Sequence, residues 1–245
     1  LKQPWMRFLG TCPGNGISLR NAPHAGRLIV PLYFNNDQNW LAMCATVAYS
    51  DDHGETWQLG HGPNEGRQTP QGELDPQTFV DETWSLHEAA VVERQDGVLV
   101  LFMRNQHPRG RVAVSESHDA GQTWGPIRFD EALPEIWCQP NAISLPSPEG
   151  EDRIVFANAS LMLPFRGCGV IRLSLDGGRT WKHSRTFNPG HYVYQCMCVL
   201  PDGRIGILWE NECQGLYFSR LPLSWFSDGL ETVDPRQAES QDSQS

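Results

Sequence analysis

The strongest constraint on the fold is an octapeptide pattern, S-x-D-x-G-x-T-W, that occurs three times along the chain. The copies read SDDHGETW, SHDAGQTW and SLDGGRTW, at residues 50–57, 117–124 and 174–181. Their central aspartates, which can accept backbone N–H bonds across a turn, are Asp52, Asp119 and Asp176. The glycine supplies a positive φ, and the tryptophan can bury a large ring. The pattern therefore predicts a structural turn in three equivalent places.

A larger unit of four short predicted strands surrounds each copy of the turn. The first unit begins with the predicted strand GISLR, and the second consists of HEAAVVER, GVLVLFMRN, GRVAVSES and TWGPIRF. A fourth unit begins at YQCMCVLP and supplies three predicted strands. Short alternating segments without long helical periodicity predict an all-β protein, and four-stranded units at this spacing are typical of β-propeller blades. A tandem β-sandwich is the alternative, and it explains the repeated turn less well.

The prediction is therefore about four blades over residues 1–227, followed by a polar tail, residues 228–245, that we expect to be disordered. No apolar run approaches the roughly 18 residues needed to span a membrane. The net charge of −10 argues against nucleic acid as a partner, although nearby arginines could still bind a small anion. Seven scattered cysteines without a CxxC pair, and histidines without paired spacing, predict neither a metal site nor any other cofactor.

Four residues are expected on the rim opposite the repeated turns. In an antiparallel blade the start of strand one, the end of strand two and the start of strand three share one rim. Glu88 lies at the start of strand one in the second unit, and Arg104 ends its strand two. Arg166 lies between strands two and three of the third unit, and Tyr194 opens the fourth. Each residue alone is more simply explained as a surface charge, but the set from three blades indicates a functional site.

The chain resembles the catalytic propeller of bacterial exo-α-sialidases (neuraminidases), in which the repeated turn is called the Asp box. The segments that carry the resemblance are WMRFLGTCPGNGISLRNAPHAGRLIVPLYF, HEAAVVERQDGVLVLFMRN and YVYQCMCVLPDGRIGILWEN. The resemblance implies retaining hydrolysis of terminal α-linked sialic acid from glycoproteins or glycolipids. It implies that Arg104 and Arg166 grip the sugar's carboxylate, that Tyr194 is the nucleophile, and that Glu88 is its general base. Tyr192 fits the nucleophile's place less well.

These implied roles are chemically coherent. A planar guanidinium binds a carboxylate through two parallel hydrogen bonds, which lysine cannot form. The anomeric carbon of sialic acid carries that carboxylate, so a neutral phenol can approach it where an anionic carboxylate nucleophile would be repelled. A phenol has a pKa of about 10 and needs a base within hydrogen-bond reach to take its proton.

Part of the family pattern is not matched. Sialidases of this type have six blades, with a first triad arginine in an R-I-P motif and an aspartate acid/base in the first blades. Neither is found here, and Arg27 in GRLIVP corresponds to a different strand. The resemblance therefore implies that this chain is the C-terminal two-thirds of such a propeller, with little activity alone. It also implies a secreted, cell-surface or periplasmic protein, although the chain contains no such signal and its compartment stays open.

Three alternatives to a hydrolase remain at this stage. A non-catalytic sialoglycan-binding propeller would keep the arginines but has no use for a Glu–Tyr pair. A structural interaction propeller predicts no convergent arginines. A trans-sialidase uses the same residues as a hydrolase. Four tryptophans are candidates for bordering the sugar, with core or rim packing as the alternative: Trp5, Trp40, Trp84 and Trp137.

Overall fold

The computed structural model describes residues 1–145, 147, 149–162, 164–212 and 214–225. It divides the chain into two compact units, the first from Leu1 to Pro140 and the second beginning at Asn141. Strands dominate both, and the helices of the described residues are two short 3-10 turns, Glu82–Trp84 and Leu223–Trp225. The predicted all-β class is confirmed. No helix in the described part of the chain is long and apolar enough to cross a membrane.

The first sheet of the first unit is an antiparallel meander with strand order β1-β3-β4-β5, and β2 also pairs with β3. Its strands are β1 (Met6–Thr11), β2 (Ile17–Ser18), β3 (Leu28–Asn36), β4 (Met43–Ser50) and β5 (Gln58–Leu59). The predicted first strand, GISLR, forms only the short β2, and β1 is the longer partner of β3. The chain bends between β1 and β2 at Pro13 and Gly14, where Gly14 adopts a φ of 117°. A small hairpin follows, formed by β6 (Gln68–Thr69) and β7 (Gly72–Glu73).

The second sheet of the first unit has four antiparallel strands in the order β11-β10-β9-β8. They are β8 (Leu86–Glu93), β9 (Leu99–Asn105), β10 (Arg111–Ser117) and β11 (Arg128–Pro134). The continuous apolar run of β9 is buried, and its residues join those of β4 and β8 in one core that includes Val47, Val91 and Leu101. Burial of these aliphatic side chains drives the packing of the two sheets, and it fixes the ends of β8 and β9.

The second unit contains one four-stranded and one three-stranded antiparallel sheet. The first is formed by β12 (Asn141–Leu145), β13 (Arg153–Met162), β14 (Arg166–Ser174) and β15 (His183–His191). The second is formed by β16 (Gln195–Val199), β17 (Ile205–Glu210) and β18 (Leu216–Leu221). Three full blades and three strands of a fourth match the prediction for the described residues. The predicted tail, 228–245, lies outside them.

The three Asp boxes have nearly the same geometry. The serine hydroxyl donates to the aspartate at 2.8, 2.8 and 2.7 Å, and the threonine hydroxyl donates to the other carboxylate oxygen at 2.5, 2.5 and 2.6 Å. Two hydrogen bonds from Thr56, of which the one from its hydroxyl has the larger effect and the other comes from its backbone N–H, lower the pKa of Asp52 to about 2. Partial burial alone would raise the pKa of Asp119 and Asp176. The corresponding hydrogen bonds from Thr123 and Thr180 outweigh this effect, so the pKa of each aspartate is lowered. These contacts support a structural role for the three aspartates.

Candidate active site

The first unit holds Glu88 and Arg104 as an ion pair on neighbouring strands. Arg104 is the penultimate residue of β9, and its Nη1 donates to Glu88 Oε2 at 2.6 Å. The ladder between β8 and β9 shifts register between Leu86 and Ala89, and such bulges re-aim side chains. The side chains of Arg104 and Glu88 are only 15% and 12% exposed. The pair is thus a partly desolvated guanidinium and carboxylate held at the end of a rigid sheet.

Two rings surround this pair. The Trp137 ring centroid lies 5.6 Å from Cζ of Arg104, and the His87 ring lies 6.3 Å from the Trp137 ring. Nε2 of His87 is 3.2 Å from Nε2 of Gln106. Burial, and then the positive charge of Arg104, lowers the pKa of His87 to about 3. The imidazole is therefore neutral near pH 7, and Arg104 is the cation of this cluster.

A buried carboxyl, Glu135, lies in the loop that follows β11. Its Oε1 accepts a hydrogen bond from the backbone N–H of Cys138 at 3.0 Å. Its Oε2 is buried and has no hydrogen-bond partner among the described residues. Burial raises the pKa of Glu135 to about 8, although the Cys138 N–H and the charge of Arg104 oppose the shift. Glu135 is thus a neutral carboxylic acid near pH 7, within the electrostatic reach of Arg104.

The second unit holds Arg166 and Tyr194 in direct contact. Arg166 begins β14 and Tyr194 immediately precedes β16. Arg166 Nη1 donates to Tyr194 Oη at 3.1 Å, and Arg166 Cζ lies 4.9 Å from the centroid of the phenol ring. Glu212 Oε1 lies 3.6 Å from Arg166 Nε. Glu210 N donates to Tyr194 O at 3.1 Å, which ties the tyrosine backbone to the end of β17.

Tyr192 occupies a different environment from Tyr194. Its side chain is fully buried, and its ring lies 5.6 Å from the Trp209 ring and 6.0 Å from the Phe187 ring. A Cβ added at Gly169 would come within 2.6 Å of the Tyr192 ring, so the ring packs directly on the β14 backbone. Tyr192 is a core residue, whereas Tyr194 is half-buried.

The structure therefore brings the four predicted residues together as two pairs, one within each unit. Sequence reasoning overlooked three neighbours of these pairs: His87, Glu135 and Glu212. His87 directly precedes Glu88, and Glu212 directly follows the segment YVYQCMCVLPDGRIGILWEN, so their positions were visible in the sequence. Nothing in the sequence marks Glu135 as buried. No group of histidine, cysteine or acidic side chains in the described residues could hold a metal ion.

Residues 4–207 match the BNR repeat-like domain family. The chain belongs to this family. Among its curated relatives, the sialidase of Micromonospora viridifaciens is 34% identical over 227 residues, which is 91% of this chain and 32% of that protein. The BNR-repeat chain thus spans about a third of the length of the curated relatives it matches.

Solved structures similar to this BNR-repeat chain include a sialidase and an intramolecular trans-sialidase. A Hadza microbial sialidase, Hz136, is 27% identical with a TM-score of 0.69, over 92% of this chain and 40% of that chain. The intramolecular trans-sialidase from Ruminococcus gnavus, in complex with oseltamivir carboxylate, is 28% identical with a TM-score of 0.68, over 88% of this chain and 44% of that chain. The predicted β-propeller class and the predicted kinship with sialidases are both confirmed.

Proposed function

We propose that this chain supplies the nucleophile, its general base and two carboxylate-binding arginines of a retaining exo-sialidase. The observation that carries the proposal is the contact between Arg166 Nη1 and Tyr194 Oη at 3.1 Å. A guanidinium that donates to a phenol oxygen can stabilise negative charge on that oxygen. It is useful where that oxygen must become negatively charged.

The proposed reaction starts at Tyr194. Its Oη attacks the anomeric carbon, the bond from that carbon to the leaving oxygen breaks, and an acid elsewhere in the full protein protonates the leaving group. Negative charge grows on Oη as its proton departs, and the Arg166 guanidinium that donates to Oη stabilises that charge. Water then hydrolyses the glycosyl–tyrosine, and two inversions give net retention.

Glu88 is the proposed base for the Tyr194 proton. Its carboxylate is held by Arg104 at 2.6 Å, and the lone pairs that this contact leaves can accept a proton. Arg104 and Arg166 are the proposed ligands of the sugar's carboxylate, because a guanidinium has several N–H donors in one plane. Sialylated glycans on proteins or lipids are therefore the proposed partners, and none of these steps uses a cofactor.

Two groups that the proposed reaction needs must come from outside this chain. The third carboxylate-binding arginine and the aspartate acid/base implied by the resemblance have no match in these 245 residues. We therefore expect the isolated chain to bind and turn over sialosides poorly, and a longer natural protein that contains it to be active.

A fluorogenic sialoside assayed with both proteins tests this proposal. We expect turnover on the order of 1–1000 per second from the longer protein and little from the 245-residue chain. Enzymatic turnover by the isolated chain would refute the fragment part of the proposal. Sialoside binding by the longer protein without any hydrolysis would instead favour a glycan-binding propeller.

Intramolecular trans-sialidase chemistry is the second candidate, favoured by the similarity to the Ruminococcus gnavus enzyme. Both reactions share the glycosyl–tyrosine and differ in what attacks it. A hydrolase admits water, whereas a trans-sialidase of this kind uses a hydroxyl of the bound sugar. Mass spectrometry of the released sugar separates them, because the intramolecular product is lighter by one water.

A further inference from the structure

Trp137 combines backbone strain with an exposed ring. Its φ is 66°, in a region that bulky residues rarely occupy, and its side chain is 45% exposed. The ring therefore gains only part of the free energy that burial would give it, and core packing does not explain its strained backbone. Strain of this kind persists where the surrounding structure enforces it, and it concentrates at ligand sites.

The loop that carries Trp137 is fixed on both sides of the ring. Before it, Glu135 N donates to Gly110 O at 3.0 Å. After it, Cys138 N donates to the buried Glu135 carboxyl at 3.0 Å, and Gln139 Nε2 donates to Pro13 O at 3.0 Å. These bonds hold the backbone that carries the indole, whose ring centroid lies 5.6 Å from Cζ of Arg104.

Trp40 provides a comparison within the same unit. It is 52% exposed, and its ring lies 5.2 Å from Cζ of Arg7. Its exposure and its arginine contact therefore resemble those of Trp137. Trp40 is not among the residues with positive φ, however, and Arg7 has no predicted role in the site. Exposure beside an arginine is thus not unusual in this unit, whereas the strained backbone beside Arg104 is specific to Trp137.

We propose that Trp137 is a binding residue whose indole packs against an apolar C–H face of the sugar that Arg104 holds by its carboxylate. The inference rests on the proposed function and adds to it a source of sialoside affinity. A carboxylate bound to Arg104 brings its own sugar ring within a few ångströms of the guanidinium, where the indole also lies. Because His87 is neutral, Arg104 is the charge that orients the sugar, and Trp137 contributes contact area.

Trp137→Gly is the decisive variant, made in the longest natural protein that contains this chain. We expect KM for a fluorogenic sialoside to rise about tenfold or more, with kcat within about threefold. Glycine adopts a φ of 66° without strain, so Tm should be unchanged or higher by a few degrees. Trp137→Phe retains an aromatic face and should raise KM about two- to fivefold. Trp40→Ala, the matched control because the Trp40 ring lies beside Arg7 and Phe8 rather than beside Arg104, should leave KM within about twofold.

Each outcome decides the proposal. A raised KM for Trp137→Gly at unchanged Tm, with Trp40→Ala near wild type, supports it. An unchanged KM for Trp137→Gly, in a protein whose wild type hydrolyses sialosides, overturns the role of Trp137 and leaves the proposed function intact. Equal increases in KM for both tryptophan variants also overturn it. A wild-type protein that neither binds nor hydrolyses sialosides refutes the proposed function, and the role of Trp137 is refuted with it.

Discussion

Arg104 and Arg166 are predicted to do the same work, yet the two units surround them differently. Arg104 is 15% exposed and its guanidinium is held by the Glu88 carboxylate at 2.6 Å. Arg166 is 24% exposed, its Nε lies 3.6 Å from the Glu212 carboxylate, and its Nη1 donates to Tyr194 Oη. The guanidinium of Arg104 donates at 2.6 Å to a carboxylate oxygen, whereas that of Arg166 donates at 3.1 Å to a phenol oxygen.

This difference divides the proposed roles between the units. A carboxylate that a guanidinium holds in one position keeps lone pairs that can accept a proton, which suits a general base. A phenol beside a guanidinium is stabilised as it loses its proton, which suits a nucleophile. The first unit is therefore the proposed proton acceptor, and the second unit carries the proposed point of covalent attack.

The largest expected effect distinguishes the two tyrosines of the second unit. Tyr194→Phe removes the proposed nucleophilic oxygen and should lower kcat about 10³-fold or more in the full-length protein. Tyr192→Phe is the matched control, since its ring is buried against Trp209, and its kcat should stay within about threefold. Steady-state kinetics with a fluorogenic sialoside measure both. Wild-type activity in Tyr194→Phe, or its loss in Tyr192→Phe, would reverse the assignment.

Lysine substitutions test the comparison of the arginines directly. Lysine keeps the charge but loses the planar fork, so either variant should lower kcat/KM about 10- to 10³-fold. Arg104→Lys should act more on KM than on kcat, because the fork that holds substrate is lost while the lysine ammonium can still donate to the Glu88 carboxylate. Arg166→Lys should also lower kcat, since it loses the hydrogen bond to Tyr194 Oη. Identical effects of the two variants on kcat would show that the arginines do not differ in function.

A smaller effect is expected where the units are alike, in their Asp boxes. Asp176→Ala removes the bonds from Ser174 and Thr180 and should lower the free energy of unfolding by about 1–3 kcal/mol. The kcat should be unchanged. Asp202→Ala, which breaks an exposed ion pair with Arg204, is the control and should leave Tm nearly unchanged. A loss of kcat in folded Asp176→Ala would mean that the turn also serves the site.

The smallest effect concerns pH and belongs to the first unit alone. Burial raises the pKa of Glu135 from 4.5 to about 8, so between these pH values the folded protein keeps a proton that the unfolded chain has lost. Rising pH through this window therefore favours unfolding. Glu135→Gln removes the titration, so its Tm should exceed that of wild type by a few degrees at pH 8 and by less at pH 5. An equal difference at both pH values would show that Glu135 does not titrate there.

Much of the fold follows from the sequence because strands and turns have local patterns. The apolar run of β9 ends at Arg104 and Asn105 in the sequence as in the structure. The Asp boxes mark turns because a serine and a threonine hydroxyl both donate to one aspartate within seven residues of the chain. The sequence predicts GISLR as the first strand, but β1 is longer than β2. Both pair with β3, and only that pairing shows which of them is the longer strand.

The candidate site was predictable where its residues end strands and not where they lie in loops. Glu88 and Arg104 could be paired because neighbouring antiparallel strands fix which residues meet. Glu135 could not be found, since its burial comes from contacts with residues distant in sequence, and an isolated acidic residue normally indicates exposure. The backbone strain at Trp137 is equally hidden, because the presence of a tryptophan in a sequence does not indicate a positive φ at that residue.

The most direct test of Tyr194 as the nucleophile is to trap the glycosyl–enzyme. The full-length protein is reacted with a fluorinated sialoside whose glycosyl–enzyme hydrolyses slowly, then digested and analysed by tandem mass spectrometry. We expect a sialyl adduct on the Tyr194 hydroxyl of wild type, and no adduct in Tyr194→Phe. An adduct on Tyr192 or Glu88, or complete turnover in Tyr194→Phe, would contradict it.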